Sequence, residues 1–135
     1  GRVLAMTLPG ERTIGFTYDA NGNLASLAPP GKPTHVFRYT PVDQENEYEP
    51  PAIAGIPDPR TLYTYDLDRQ LDLVTRPDGK TVDLAYEAGT GRLDTVTIAE
   101  GVYDHGYHAT TDPVTGEAAG QIATIAAPVL SPRSR

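Results

Sequence analysis

At 135 residues with a net charge of −7, the chain has room for one domain or a piece of a larger one, and it lacks the basic stripe of a nucleic-acid binder. Thirteen glycines and thirteen prolines exclude long uninterrupted helices, and the absence of cysteine excludes a disulfide scaffold, a thiolate zinc site and a cysteine nucleophile. No stretch approaches the ~20 apolar residues of a membrane-spanning helix.

Gly1-Arg2-Val3-Leu4 has neither the basic start nor the apolar run of a signal peptide. With no initiator methionine either, the expectation is a fragment or a processed product. Gly1-Arg2-Val3 also opens a unit that recurs at Gly22-Asn23-Leu24, Arg69-Gln70-Leu71, Gly91-Arg92-Leu93 and Gly120-Gln121-Ile122. Three positions past each terminal apolar residue stands another: Met6, Leu27, Val74, Val96 and Ile125. Six past it come Pro9, Pro30, Pro77, Ala99 and Pro128, with glycines following at Gly10, Gly31, Gly79 and Gly101. A tyrosine stands fifteen past at Tyr18, Tyr39 and Tyr86, and fourteen past at Tyr107. Four features in one register make an internal repeat.

Taken along the chain, Thr13 to Asp19 alternates Ile14, Phe16 and Tyr18 on one face, the period of a half-buried strand. Asp19-Ala20-Asn21-Gly22 reads as a tight turn, with Asn-Gly supplying positive φ. A second strand runs from Leu24 to Ala28 and ends at Pro30-Gly31. His35, Phe37 and Tyr39 repeat the tyrosine strand, as do Thr61, Tyr63 and Tyr65. The segment from Leu71 to Arg76 repeats the second strand and ends at Pro77-Asp78-Gly79. Thr81 to Tyr86, the turn Glu87 to Gly91 and the strand Arg92 to Ile98 complete the series. Each repeat is two short antiparallel strands and two turns. A lone hairpin is barely stable, so stacked hairpins sharing one apolar face are expected to form a continuous, bent sheet.

The interval is 21 residues from Val3 to Leu24 and 22 from Leu71 to Leu93, but 47 from Leu24 to Leu71 and 29 from Leu93 to Ile122. The surpluses place a proline-rich, acidic insert at 40–60 and a loop at 109–120. The boundaries are thus about five repeats over 1–128 and a tail at 129–135.

Tyr18-Asp19-Ala20-Asn21-Gly22-Asn23-Leu24 and Tyr65-Asp66-Leu67-Asp68-Arg69-Gln70-Leu71, each followed by proline six residues on, resemble the YD repeats of Rhs proteins, the Tc toxin cocoon and teneurins. The resemblance covers about residues 1 to 128. Arg69 replaces the turn glycine, Thr40 and Glu87 replace the aspartate, and the last unit is degenerate. The repeat-defining positions are Tyr18, Asp19, Gly22, Leu24, Pro30, Gly31, Tyr39, Tyr65, Asp66, Leu71, Pro77, Gly79, Tyr86, Gly91 and Leu93. The resemblance implies an all-β fold of antiparallel β-hairpin repeats in a curved, spiralling sheet, a segment of a hollow shell. It implies a secreted or cell-surface bacterial protein whose partners are the rest of the shell and the toxic polypeptide it encloses, with no cofactor and no catalysis. The family's self-cleaving Asp-Pro-x-Gly-Leu plug is missing; Asp112-Pro113-Val114-Thr115-Gly116 only echoes it, and no cleavage role is assigned to it.

Other chemistry is weighed residue by residue. The repeat tyrosines could stack on glycans, but cross-strand packing with hydroxyls bonded near the turns accounts for their spacing. Asp19, Asp66 and Asp78 could pair as hydrolase carboxylates, whereas aspartate in such turns ordinarily bonds its own backbone. His105 and His108, with Asp104 and Asp112, resemble a metal-ligand set, yet strand residues three apart point oppositely. His35 has no evident partner. Asp43, Glu45, Glu47 and Glu49 form an acidic run that could hold calcium or a partner, though the simpler expectation is a solvated, extended loop. Ile53 and Ile56 are expected to fold over the sheet or meet a neighbour. No phosphate-binding, dinucleotide or serine-hydrolase motif is present, and Ser26, Ser131 and Ser134 have no adjacent base. Two unpaired sheet edges would favour self-association.

Overall fold

The structure, a computed structural model, describes residues 1–107 and 122–126. Among these there is no helix. Eleven strands form: β1 (Ala5–Leu8), β2 (Arg12–Tyr18), β3 (Leu24–Ala28), β4 (His35–Tyr39), β5 (Glu45–Glu49), β6 (Thr61–Tyr65), β7 (Leu71–Thr75), β8 (Thr81–Tyr86), β9 (Leu93–Ile98), β10 (Gly101–Tyr107) and β11 (Ile122–Ala126). They lie in one antiparallel sheet whose strand order is the chain order. The expected loop at 109–120 and tail at 129–135 lie outside the described residues, as do His108 and Asp112.

The chain divides into two compact units, one comprising Gly1–Thr64 and Thr75–Gly79, the other Tyr65–Val74 and the chain from Lys80 onward. In the first, Ile14 lies opposite Met6, Phe16 opposite Leu27, Leu27 opposite His35 and Phe37 opposite Tyr48. One face is therefore apolar and aromatic. On it the rings of Phe37 and Tyr48 stack at 5.3 Å, and the Tyr48 hydroxyl and His35 Nδ1 share a 2.7 Å hydrogen bond. The other face is polar: the hydroxyls of Thr17 and Ser26 bond each other at 2.6 Å, and Arg38 bonds both Glu47 and Glu49. The second unit repeats the division. Leu84, Val96 and Tyr103 share one face, while Asp83 and Thr97, with Ala85, Thr95 and Asp104, share the other.

No described residue is fully buried, polar or apolar. Each unit is thus held by a backbone ladder and half-buried neighbours rather than by a core closed between two layers.

The stretch 40–60, expected as one solvated insert, instead carries β5. Thr40 to Asp43 is an ordinary repeat turn, with Asp43 N–H donating to Thr40 O at 3.0 Å, and Glu45–Glu49 pairs with β4. The like charges do not repel the segment into solvent because Arg38 and Arg60 flank Glu47, and Arg38 also bonds Glu49. Leu24 to Glu45 is 21 residues, with Tyr48 three further on and Pro51 six further on, so the repeat register continues through the acidic run. The inserted length shrinks to a few residues of the following turn. There Ile56 N–H bonds Ile53 O at 3.1 Å, and Ile53 and Ile56 remain 47% and 37% exposed rather than folding over the sheet.

The turns explain the sequence departures. Gly22 adopts φ 93°, and the equivalent Asp43 and Arg69 adopt φ 62° and 65° without being glycine. Asn21 keeps negative φ, so in these three turns a single residue carries the left-handed conformation. Side chains in that region cost about 1–2 kcal/mol. Arg69→Gly is expected to raise stability by about 0.5–1 kcal/mol. Gly22→Ala should lower it by about 1–2 kcal/mol, because alanine would take on the left-handed backbone at φ 93°. Urea unfolding of the two variants checks both signs.

Candidate functional site

The repeat-defining residues converge at the turn ends of the strands. Four of the repeat tyrosines close their strands at a β-bulge, where the register slips between Thr17 and Tyr18, Arg38 and Tyr39, Ala85 and Tyr86, and Gly106 and Tyr107. A bulge re-aims the following side chain. The hydroxyl then reaches back across the preceding strand pair. Tyr18 donates to Val3 O at 2.9 Å, Tyr39 to Leu24 O at 2.9 Å, Tyr86 to Leu71 O at 2.7 Å and Tyr107 to Leu93 O at 2.5 Å.

The fifteen-residue spacing, fourteen in the last case, is thus the length of this hydrogen bond measured along the chain. Tyr18 lies opposite Leu24 in its own hairpin while Leu24 O accepts from Tyr39, so one leucine joins two tyrosines. Leu93 does the same for Tyr86 and Tyr107. Tyr65 ends β6 at the corresponding place. Burial, with lesser help from the Glu45 and Asp19 charges, raises the Tyr39 pKa; burial with Asp66 and Asp72 raises that of Tyr86. Both phenols stay protonated donors.

The aspartates serve the turns. Asp19 Oδ1 accepts from Asn23 N–H at 2.9 Å, and that bond is the main cause of its lowered pKa. Asp66 Oδ1 accepts from Gln70 N–H at 2.8 Å. Where aspartate is absent, Thr40 Oγ1 takes the Gln44 N–H at 3.2 Å. At the longer turn Glu87 takes Thr90 Oγ1 and Arg92 Nε, which lower its pKa. Pro30-Gly31 and Pro77-Asp78-Gly79 sit in the opposite turns, where Lys32 N–H bonds Pro29 O and Gly79 N–H bonds Arg76 O.

The residue just before the repeat leucine was not singled out by its sequence, yet it reaches the next repeat. Arg2 lies over the Tyr18 ring at 5.4 Å and Arg92 over Tyr107 at 4.6 Å. Asn23 Nδ2 donates to Asp43 Oδ1 at 2.7 Å, and Gln70 Nε2 to Gly91 O at 2.8 Å. Its long polar type in every copy was the available signal.

An open cleft of about 680 Å³ lies in the second unit, lined by Asp66, Asp68, Gln70, Asp72, Tyr86 and Glu87 among others. Two of its carboxylates are occupied by the turn bonds above. Among the described residues no group of three or more His, Asp and Glu is placed to hold a metal ion. His105 lies on β10 opposite Ile125, and its Nδ1 has no hydrogen-bond partner.

Against known proteins, residues 1–34 match the family model described as RHS Repeat. Residues 1–34 thus carry an Rhs-type repeat. Among solved structures, the crystal structure of TcdB2-TccC3-Cdc42 matches over 87% of this chain with a TM-score of 0.61 and 19% identity, a likeness of fold. The match occupies 6% of that longer chain. No curated protein sequence matches.

Glu45 occupies, opposite Tyr39, the place that Val3, Leu24, Leu71, Leu93 and Ile122 hold in the other repeats. Burial raises its pKa, so the fold favours its protonated form and the ionised form costs stability above that pKa. Glu45→Gln is therefore expected to raise the urea midpoint at neutral pH, with the gain fading as pH falls through the raised pKa and gone once pH is below the ordinary glutamate range. Tyr39→Phe should cost about 1 kcal/mol by removing the bond to Leu24 O.

Proposed function

We propose that this chain is a non-enzymatic stretch of wall in a YD-repeat β-shell that encloses and sequesters a toxic polypeptide for delivery. The parent would be a secreted or cell-surface bacterial protein. The observation that carries the reading is the tyrosine hydroxyl bonded to the carbonyl fifteen residues earlier. That device fixes each hairpin to the one before it and needs no second layer. A fold stabilised repeat by repeat can be lengthened without limit, which is what an enclosing wall demands. The Rhs-type repeat and the fold shared with the TcdB2-TccC3-Cdc42 structure support the same reading.

Partners follow from it. The rest of the shell would continue the ladder from the outer edges of β1 and β11, each of which has one neighbour in the sheet. For this piece by itself the same edges favour self-association, with Ile122 and Ile125 exposed on β11. A glycan-binding module is the competing class. It is the weaker reading, because four tyrosine hydroxyls are already donated to carbonyls and two of the rings lie under arginines.

The test is limited proteolysis of the full-length protein. Tyr39→Ala with Tyr86→Ala should open the wall and make the enclosed polypeptide cleavable while other domains keep their digestion pattern. Unchanged protection would count against a wall. Glycan binding by the isolated chain, abolished by the same substitutions, would favour the recognition module instead.

A further inference from the structure

Of the three asparagines in the sequence, Asn21 alone precedes a glycine. That pairing is chemically unstable in an open chain, since an unhindered glycine nitrogen can attack the neighbouring side-chain amide. In this structure both reacting groups are tied. Gly22 N–H donates to Asp19 O at 3.1 Å, and Asn21 Nδ2 donates across the repeat boundary to Asp43 Oδ1 at 2.8 Å. The same Asp43 oxygen takes Asn23 Nδ2 at 2.7 Å, and Asn23 is held in turn by Asp19 Oδ2 at 3.1 Å. Asp43 sustains this clamp from a left-handed backbone at φ 62°, a conformation that aspartate tolerates poorly compared with the glycine found at position 22.

We propose that Asn21-Gly22 is a spontaneous deamidation site that Asp43 keeps closed while the first two YD turns are clamped together, and that becomes reactive when the turns part. The step balances without a co-reactant other than water. The Gly22 nitrogen, giving up its proton to solvent, bonds to Asn21 Cγ, and the amide nitrogen leaves as ammonia to give a cyclic imide. Water then opens the ring at either carbonyl, leaving aspartate or a β-linked isoaspartate at position 21.

Either product opposes reclosure. A carboxylate at position 21 can no longer donate to Asp43 and lies beside two like charges, Asp19 and Asp43. The isoaspartyl form also adds a methylene to the main chain inside a turn whose ends are fixed by the Asp19 N–H bond to Asn23 O at 2.9 Å. A transient opening would thus become a permanent mark, and the wall's oldest openings would accumulate at this turn. The effect does not rest on the shell reading; it needs only the clamp.

Intact-mass and peptide mapping after incubation in mildly alkaline buffer test the idea on the whole chain. The expected pattern is a gain of one mass unit confined to the peptide containing Asn21, slow in the folded chain and many-fold faster in concentrated urea. Asp43→Gly removes the clamp but supplies the residue that the backbone prefers, so it should stay folded by circular dichroism and deamidate several-fold faster than the parent. Asn21→Gln should show no gain. Equal rates for the folded and urea-treated parent, an unaltered rate in a folded Asp43→Gly chain, or no gain even in urea would each overturn the proposal. Should Asp43→Gly fail to fold, Asp43→Asn takes its place: its amide oxygen still accepts from Asn21, so protection should persist, and a rate equal to that in urea would count against the clamp.

Discussion

The hydrogen bond from a strand-ending tyrosine to the carbonyl of the repeat leucine, or of Val3 in the first copy, is the contact on which the rest depends. A sheet in which no described residue is fully buried does not draw on a closed core, which is the usual source of a domain's stability. Its hairpins, marginal singly, must gain from each neighbour. The tyrosine does this in two directions at once, pairing within its own hairpin (Tyr18 with Leu24, Tyr86 with Leu93, Tyr39 with Glu45) and donating to the backbone of the strand before. Leu24 and Leu93 each serve two tyrosines, so the contacts link neighbouring repeats, and the 21-residue period reflects the geometry of that link.

Around this contact the turns tolerate wide substitution. Aspartate, threonine and glutamate all satisfy the same turn amides or their side-chain equivalents, because only an oxygen at roughly that position is needed. The left-handed position accepts glycine, aspartate or arginine at modest cost. What recurs at four of the turns is a side chain that reaches a neighbour. Arginine over a ring and an amide onto the next turn are two solutions to one spatial requirement, and both extend toward the C-terminus.

Much of the fold was legible because its period is local chemistry. Leucine, proline and tyrosine recur at fixed offsets, and alternation marked seven of the eleven strands within a residue or so at each end. The acidic strand β5 was hidden for a definable reason. Glu45 stands where leucine should, and five extra residues before Tyr65 break the spacing to the tyrosine, so composition suggested a solvated loop. Tyr48 and Pro51 carried the register, but Arg38 and Arg60, whose pairing makes the strand acceptable, lie outside the run itself. The hydroxyl acceptors were equally out of reach. A spacing of fifteen says that two residues meet, and only coordinates say that the contact is a side-chain hydroxyl on a main-chain carbonyl.

Native-state hydrogen exchange on Tyr39→Phe, compared with the parent chain, tests the core claim most directly, since stability built from neighbours should fail locally. The account predicts faster amide exchange in β3, β4 and β5, with β9 and β10 keeping the protection of the parent. A uniform loss across every strand would reveal a shared cooperative core, and no change at all would show that the hydroxyl carries no weight; either result would contradict it.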